Sequence, residues 1–196
     1  MTAGIYTARI LTQPAVEPLT LAELKEHCRV AEDFLGLTEA LRGARGLVEH
    51  FLGRALISQQ WEVAFDTPLC TVFELPMPPI ISVDTALSFA EDETSSAFSS
   101  SSYVVDGPGG RVWLKQGVDF PTSLRPYRAM VWTYTAGYGA IASAVPRPIL
   151  HAIKLLAAHL YENREATSRS VAGESGLKEI PFGVRDLLFP YKVVSV

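Results

Sequence analysis

Apolar residues recur at three- and four-residue steps through Leu37, Leu41, Ala44, Val48 and Phe51, with Ala40, Leu47 and Leu52 widening the same stripe. That spacing is one face of a helix. Gly53 stands just past the stripe, where a left-handed cap residue is wanted. From Ile57 the period drops to two. Ile57, Gln59, Trp61, Val63 and Phe65 fall on one side and Ser58, Gln60, Glu62 and Ala64 on the other, which predicts a strand with one apolar face. The stretch Ala40 to Phe65 therefore ties a helical layer to a sheet.

On the N-terminal side, residues 1–19 read as an extended arm, with Pro14 and Pro18 keeping it out of helix. Thr20 and Glu23 have the spacing of a capping box, so a short helix runs to about Val30 with Leu21, Leu24 and Cys28 as its stripe. Asp33 suits the N-cap of the long helix. Gly36, Gly43 and Gly46 weaken that helix by about 1 kcal/mol each relative to alanine. Either packing outweighs the cost, or the glycines let another backbone approach closely.

On the C-terminal side, Thr71–Leu75, Ile81–Phe89, Tyr103–Asp106, Arg111–Leu114 and Ala129–Thr135 read as short strands of a small antiparallel sheet or sandwich. Gly107-Pro108-Gly109-Gly110 is a strong hairpin turn, and Pro76-Met77-Pro78-Pro79 is a corner that no central strand could contain. Glu91 to Ser102 is a polar, serine-rich loop at a hairpin tip or an exposed edge. Pro148 then opens a helix whose stripe is Ile149, Ile153, Leu156, Ala157 and Leu160, expected to pack on the long N-terminal helix. Arg164 to Lys178 has the composition of a linker. The chain closes on an apolar tail containing Phe182, Val184, Leu187, Leu188, Phe189 and Tyr191, with a short helix from Gly183 to Leu188. A tail this apolar has to dock, on its own body or on another chain. The pattern as a whole predicts an α+β fold. Two N-terminal helices and a C-terminal helix form a small bundle at 20–53 and 148–163, the β region 57–138 is inserted, and 164–196 is linker and tail. Residues 20–163 are expected to form one domain.

Composition narrows the function. Of 196 residues, 48% are hydrophobic and 19% charged, so the chain is globular, and its net charge of −4 argues against a dedicated nucleic-acid-binding surface. Cys28 and Cys70 are too few for a metal site and lie in no CxxC pattern, so they are expected as reduced thiols. The N-terminus lacks the charge and apolar run of a signal peptide, and the most apolar helix is too short to span a bilayer, so a soluble intracellular protein is expected.

No catalytic constellation emerges. Gly173-Glu174-Ser175-Gly176 lacks the spacing of a nucleophile elbow, and Gly107-Pro108-Gly109-Gly110 lacks the lysine of a phosphate loop. His151 and His159 are too far apart to share a metal, and His27 and His50 have no spaced partners. No catalytic residue, metal or cofactor is expected. The arm, the glycine face, the polar loop and the tail are interaction features instead, suited to heterologous contacts that close a ring.

The order of these motifs resembles the head–tail connector, or adaptor, proteins of long-tailed phages and gene transfer agents. The likeness lies in EPLTLAELKEHCRV from Glu17, VEHFLGRALISQQW up to Trp61, HLYENREA at His159–Ala166 and IPFGVRDLLFPYKV at Ile180–Val193. The resemblance implies a structural virion protein at the head–tail junction, assembled in the host cytoplasm. It implies a ring, commonly of twelve copies, beneath the portal protein, with a stopper or tail-terminator protein on its far face. Double-stranded DNA would pass through the lumen without specific binding, and no membrane would be involved. In such a protein Phe182, Val184, Leu187, Leu188, Phe189 and Tyr191 become the expected element that docks on the portal or a neighbouring subunit. The rival expectation is a small intracellular α+β enzyme or ligand-binding domain, which would need a convergent polar pocket.

Overall fold

The computed structural model describes residues 6–30, 34–66, 70–163 and 182–193. Among them the chain forms four α-helices and eight strands, in the order β1 (Tyr6–Thr12), α1 (Leu21–Cys28), α2 (Phe34–Leu52), β2 (Gln59–Phe65), β3 (Val72–Glu74), β4 (Ile80–Phe89), β5 (Ser95–Ala97), β6 (Tyr103–Asp106), β7 (Arg111–Leu114), β8 (Met130–Ala136), α3 (Arg147–Glu162) and α4 (Phe182–Leu188). The α+β expectation holds. These elements divide into two compact units. A sheet unit takes the chain up to Ala15 and Gly53–Ala140, and a helical unit takes Val16–Leu52 and everything from Ile141.

In the sheet unit, five strands run antiparallel in the order β1-β2-β8-β4-β5, and three more in the order β3-β7-β6. Period-two alternation turns one face of each sheet inward. Val63, Phe65, Ala86, Met130, Trp132 and Tyr134 from the larger sheet meet Phe73, Tyr103 and Val112 from the smaller one in a shared core. Aromatic rings dominate it. Trp132 lies edge-on to Tyr103 at 5.0 Å and to Phe73 at 5.1 Å between centroids, within the range where such pairs attract beyond their buried area. The buried Tyr134 hydroxyl donates to the Pro76 carbonyl at 2.8 Å, and burial pushes its phenol far above the ordinary value. Thus the proline-rich corner receives a hydrogen bond from the centre of the sheet. Gly137 ends β8 at φ 138°, and a Cβ there would lie 2.6 Å from the Ile57 carbonyl carbon, so only glycine fits where the chain passes the entry to β2.

Several sequence expectations change here. Tyr6–Thr12 of the expected arm is an edge strand, paired with β2 from Tyr6↔Phe65 to Thr12↔Gln60. The polar loop Glu91–Ser102 contains β5, which pairs with β4 through Leu87↔Ala97, Ser88↔Ser96 and Phe89↔Ser95. Its Phe98 ring stacks near Tyr103 and Phe120 of the core. The loop is polar on its surface but anchored by its one large apolar residue.

The helical unit begins with the expected capping box. The Thr20 hydroxyl accepts from the Glu23 N–H at 3.2 Å, while the Thr20 N–H donates to the Glu23 carboxylate at 2.9 Å. The Thr20 N–H foremost, and then the Thr20 hydroxyl, which also donates to the carboxylate at 2.7 Å, hold the Glu23 carboxyl below the usual range. Arg29 closes α1 in the left-handed conformation at φ 55°, so the helix stops two residues short of Val30. On α2 the stripe is buried at Leu37, Ala40, Leu41, Ala44, Val48 and Leu52, and it packs on α3 through Ile149, Ala152, Ile153, Leu156 and Ala157. Leu47, placed in the stripe from its spacing, is instead 43% exposed, on the side of α2 that carries the exposed Gly43 and Gly46. Gly53 follows at φ 64°, as a left-handed cap requires. Asp33 as an N-cap, and the linker Arg164–Lys178, lie outside the described residues.

Candidate interaction surface

The C-terminal tail is built onto the helical unit. α4 packs on α3, burying Val184 and Leu188. A 3-10 turn at Phe189–Tyr191 then leads to Lys192, whose ammonium sits 5.0 Å from the Phe51 ring centroid, and the Val193 N–H donates to the Leu52 carbonyl at 2.9 Å. That last bond satisfies a carbonyl at the C-terminus of α2, one of the groups a helix end leaves without a partner. The six residues expected to dock outward are therefore divided. Val184 and Leu188 face their own unit, Leu187 and Tyr191 are half-buried, and Phe189 is 67% exposed. The Phe182 side chain lies outside the described residues. The spacing Val184–Leu188 is four residues, which puts the two on one helical face, but the period alone does not say which face turns inward.

The glycines of α2 bear on the choice between close approach and tolerated cost. A Cβ on Gly43 would make ordinary contact with the Leu160 side chain at 3.5 Å, and one on Gly46 would meet nothing within 4 Å. Neither Cβ would touch backbone among the described residues, so within one copy neither glycine is there to admit another backbone. Glu17, ahead of α1, reaches Arg45 of α2 at 2.9 Å, and Arg45 also pairs with the buried Glu49 at 3.3 Å. These ion pairs, with Pro18 and Leu19 buried beside them, fix the chain where it enters the helical unit.

In the sheet unit β1 offers a second surface. Tyr6, Ile10 and Leu11 are exposed apolar residues on this edge strand, whose other edge has no partner strand among the described residues. Arg9 donates to both Glu62 oxygens, at 2.8 and 3.1 Å, and Arg128 donates to the same carboxylate at 2.8 Å. Burial acts to raise the Glu62 carboxyl, but the bonds from Arg9 and then Arg128 outweigh it and leave the group below the usual carboxylate range. At the far end of the sheet the Arg125 guanidinium lies 4.0 Å over the Phe89 ring and is paired with Glu93, which also accepts from the Tyr127 hydroxyl at 2.8 Å.

His27, His50 and His151 are exposed, and His159 lies beside Asn163, whose amide donates to the His159 carbonyl at 2.9 Å. Among the described residues no group of three or more His, Cys, Asp or Glu side chains could hold a metal ion. No described helix is long and apolar enough to cross a membrane.

No protein-family model and no curated protein matches the chain. Solved structures do. A chain in the neck of a native gene transfer agent particle, computed with C12 symmetry, is 24% identical, with a TM-score of 0.75 over 97% of both chains. One in the neck of the empty particle, computed with C6 symmetry, is 24% identical with a TM-score of 0.74 over 97% of both chains. A chain in the virion of the native particle is 23% identical with a TM-score of 0.73 over 96% of both. The likeness shows that this chain has their fold from end to end.

Proposed function

We propose that this chain is a structural virion protein, a head–tail connector of the adaptor type. The observation that carries the reading is the end-to-end likeness to neck chains of gene transfer agent particles, which leaves little of the chain outside the shared fold. Copies form a ring, of twelve in the reading favoured here, beneath the portal protein at the head–tail junction. The ring joins the DNA-filled head to a stopper or tail-terminator protein, and the protein has no enzymatic role. The net charge of −4 suits a lumen through which DNA passes without adhering, because an acidic wall repels phosphates. The C-terminal tail docks on the portal or the adjacent subunit. Its outward residue is Phe189, with Leu187 and Tyr191 beside it, while Val184 and Leu188 hold the tail in place.

Electron microscopy of the purified protein mixed with its cognate portal tests this reading. The expected result is a ring of copies seated on the portal ring. Protein that stays dispersed beside intact portals would overturn it.

A further inference from the structure

We infer that β1 is an exchangeable strand, and that in the assembled state Tyr6–Thr12 of one copy pairs with β2 of the next copy. The inference rests on the proposed ring. A strand can be traded between copies when three conditions hold: few of its side chains are sunk in its own core, the acceptor edge fits it, and the link behind it can redirect.

Of the seven residues of β1, six are exposed and only Ala8 is half-buried. The strand is held by its backbone ladder, the tilted contact of Tyr6 with Phe65 at 5.9 Å, and the two hydrogen bonds that Arg9 donates to Glu62. The fit of the acceptor edge is demonstrated within one copy. The register Tyr6↔Phe65, Ala8↔Val63, Arg9↔Glu62 is open equally to an identical strand from a neighbour. When β1 leaves, Glu62 keeps Arg128 at 2.8 Å, so the vacated edge strands no carboxylate without a cation.

The link is short and well bounded. Glu17, Pro18 and Leu19 are anchored in the helical unit, which leaves Gln13–Val16, three exposed residues and a half-buried proline. Four residues reach at most about 14 Å, Pro14 biases Gln13 to an extended conformation, and the chain bends at Ala15 and Val16. The two states make the same contacts, so the balance is set by the concentration of copies, which a ring raises far above that in solution.

The test uses two full-length variants, each carrying Cys28→Ser and Cys70→Ser. One adds Thr12→Cys and the other Gln60→Cys, a pair that faces across the ladder with one side chain exposed and the other half-buried. They are mixed, assembled on the portal, and treated with a short bismaleimide. Exchange gives a covalent dimer in the mixture and none in either variant alone. The pair Ile10→Cys and Trp61→Cys repeats the measurement on the opposite face of the strand, should either first change impair folding. Rings without the dimer overturn the exchange and leave the connector reading standing. The dimer in concentrated protein without rings upholds the exchange and removes the ring. Neither rings nor dimer, in concentrated protein, overturns both.

Discussion

The two ends of the chain are held in opposite ways. β1 is tied down by backbone hydrogen bonds and one largely buried carboxylate, with its side chains mostly in solvent. α4 makes no ladder and is tied down by two side chains, Val184 at 1% and Leu188 at 0% exposure. Burying a side chain of that size contributes about 1.5–3 kcal/mol and depends on one shaped site. A backbone ladder is the same whichever identical strand supplies it. An end held by side chains therefore belongs to its own copy, and an end held by a ladder can be shared.

Leu188→Ala should break the comparison most. It leaves a cavity in the helical unit and should lower unfolding stability by about 2–5 kcal/mol, read from thermal or denaturant melts followed by helical circular dichroism. A loss near zero would mean that α4 is as loosely held as β1. Removing a capping residue elsewhere in the same unit gives a smaller yardstick: Thr20→Ala should cost about 1 kcal/mol, with α1 alone losing amide protection in hydrogen exchange.

Acid should distinguish the ends in the other direction. The folded Glu62 carboxyl lies below its ordinary value, so its stabilisation is fully present above the unfolded value, near 4.3, and is lost as pH falls through the lower folded one. Below about pH 4, amide protection relative to the intrinsic exchange rate should therefore fall in β1 before it falls in α4, and Arg9→Ala should weaken that dependence. Equal loss of protection at both ends would remove Glu62 as the latch. The smallest effect on folding is expected from Phe189→Ala. As an exposed residue it should shift stability by no more than about 0.5 kcal/mol, while sedimentation with portal rings should show lost attachment. A variant that still co-sediments fully would take Phe189 out of the docking face.

The helices were legible because their burial follows a period. Leu37, Leu41, Ala44 and Val48 are buried where the stripe placed them, and the switch of period past Gly53 marks the real turn from α2 toward β2. Leu47 was misplaced because spacing gives an angle around the helix and not the width of the partner that covers it. The hairpin of β6 and β7 was legible from its glycine-rich turn. The edge strands were not. β5 reads Ser-Ser-Ala and is a strand through its hydrogen bonds to β4, which leave no mark on side-chain pattern. β1 did carry an alternation, Tyr6, Ala8 and Ile10 against Thr7 and Arg9, but the prolines that follow it drew the reading toward an arm. In the tail, the count of apolar residues was legible while their division was not, because it depends on which face α3 covers.

The distance between β1 and its partner also has a consequence in time. Arg9 and Glu62 are 53 residues apart, and a ribosome adds about 5–20 residues each second. The first strand to emerge during synthesis thus waits about 3–10 s before its own β2 exists. On a message carrying several ribosomes, a neighbour further along offers the same edge only while its own β1 is away from it, so the partner a strand meets first depends on how closely those ribosomes follow one another and how often that edge opens.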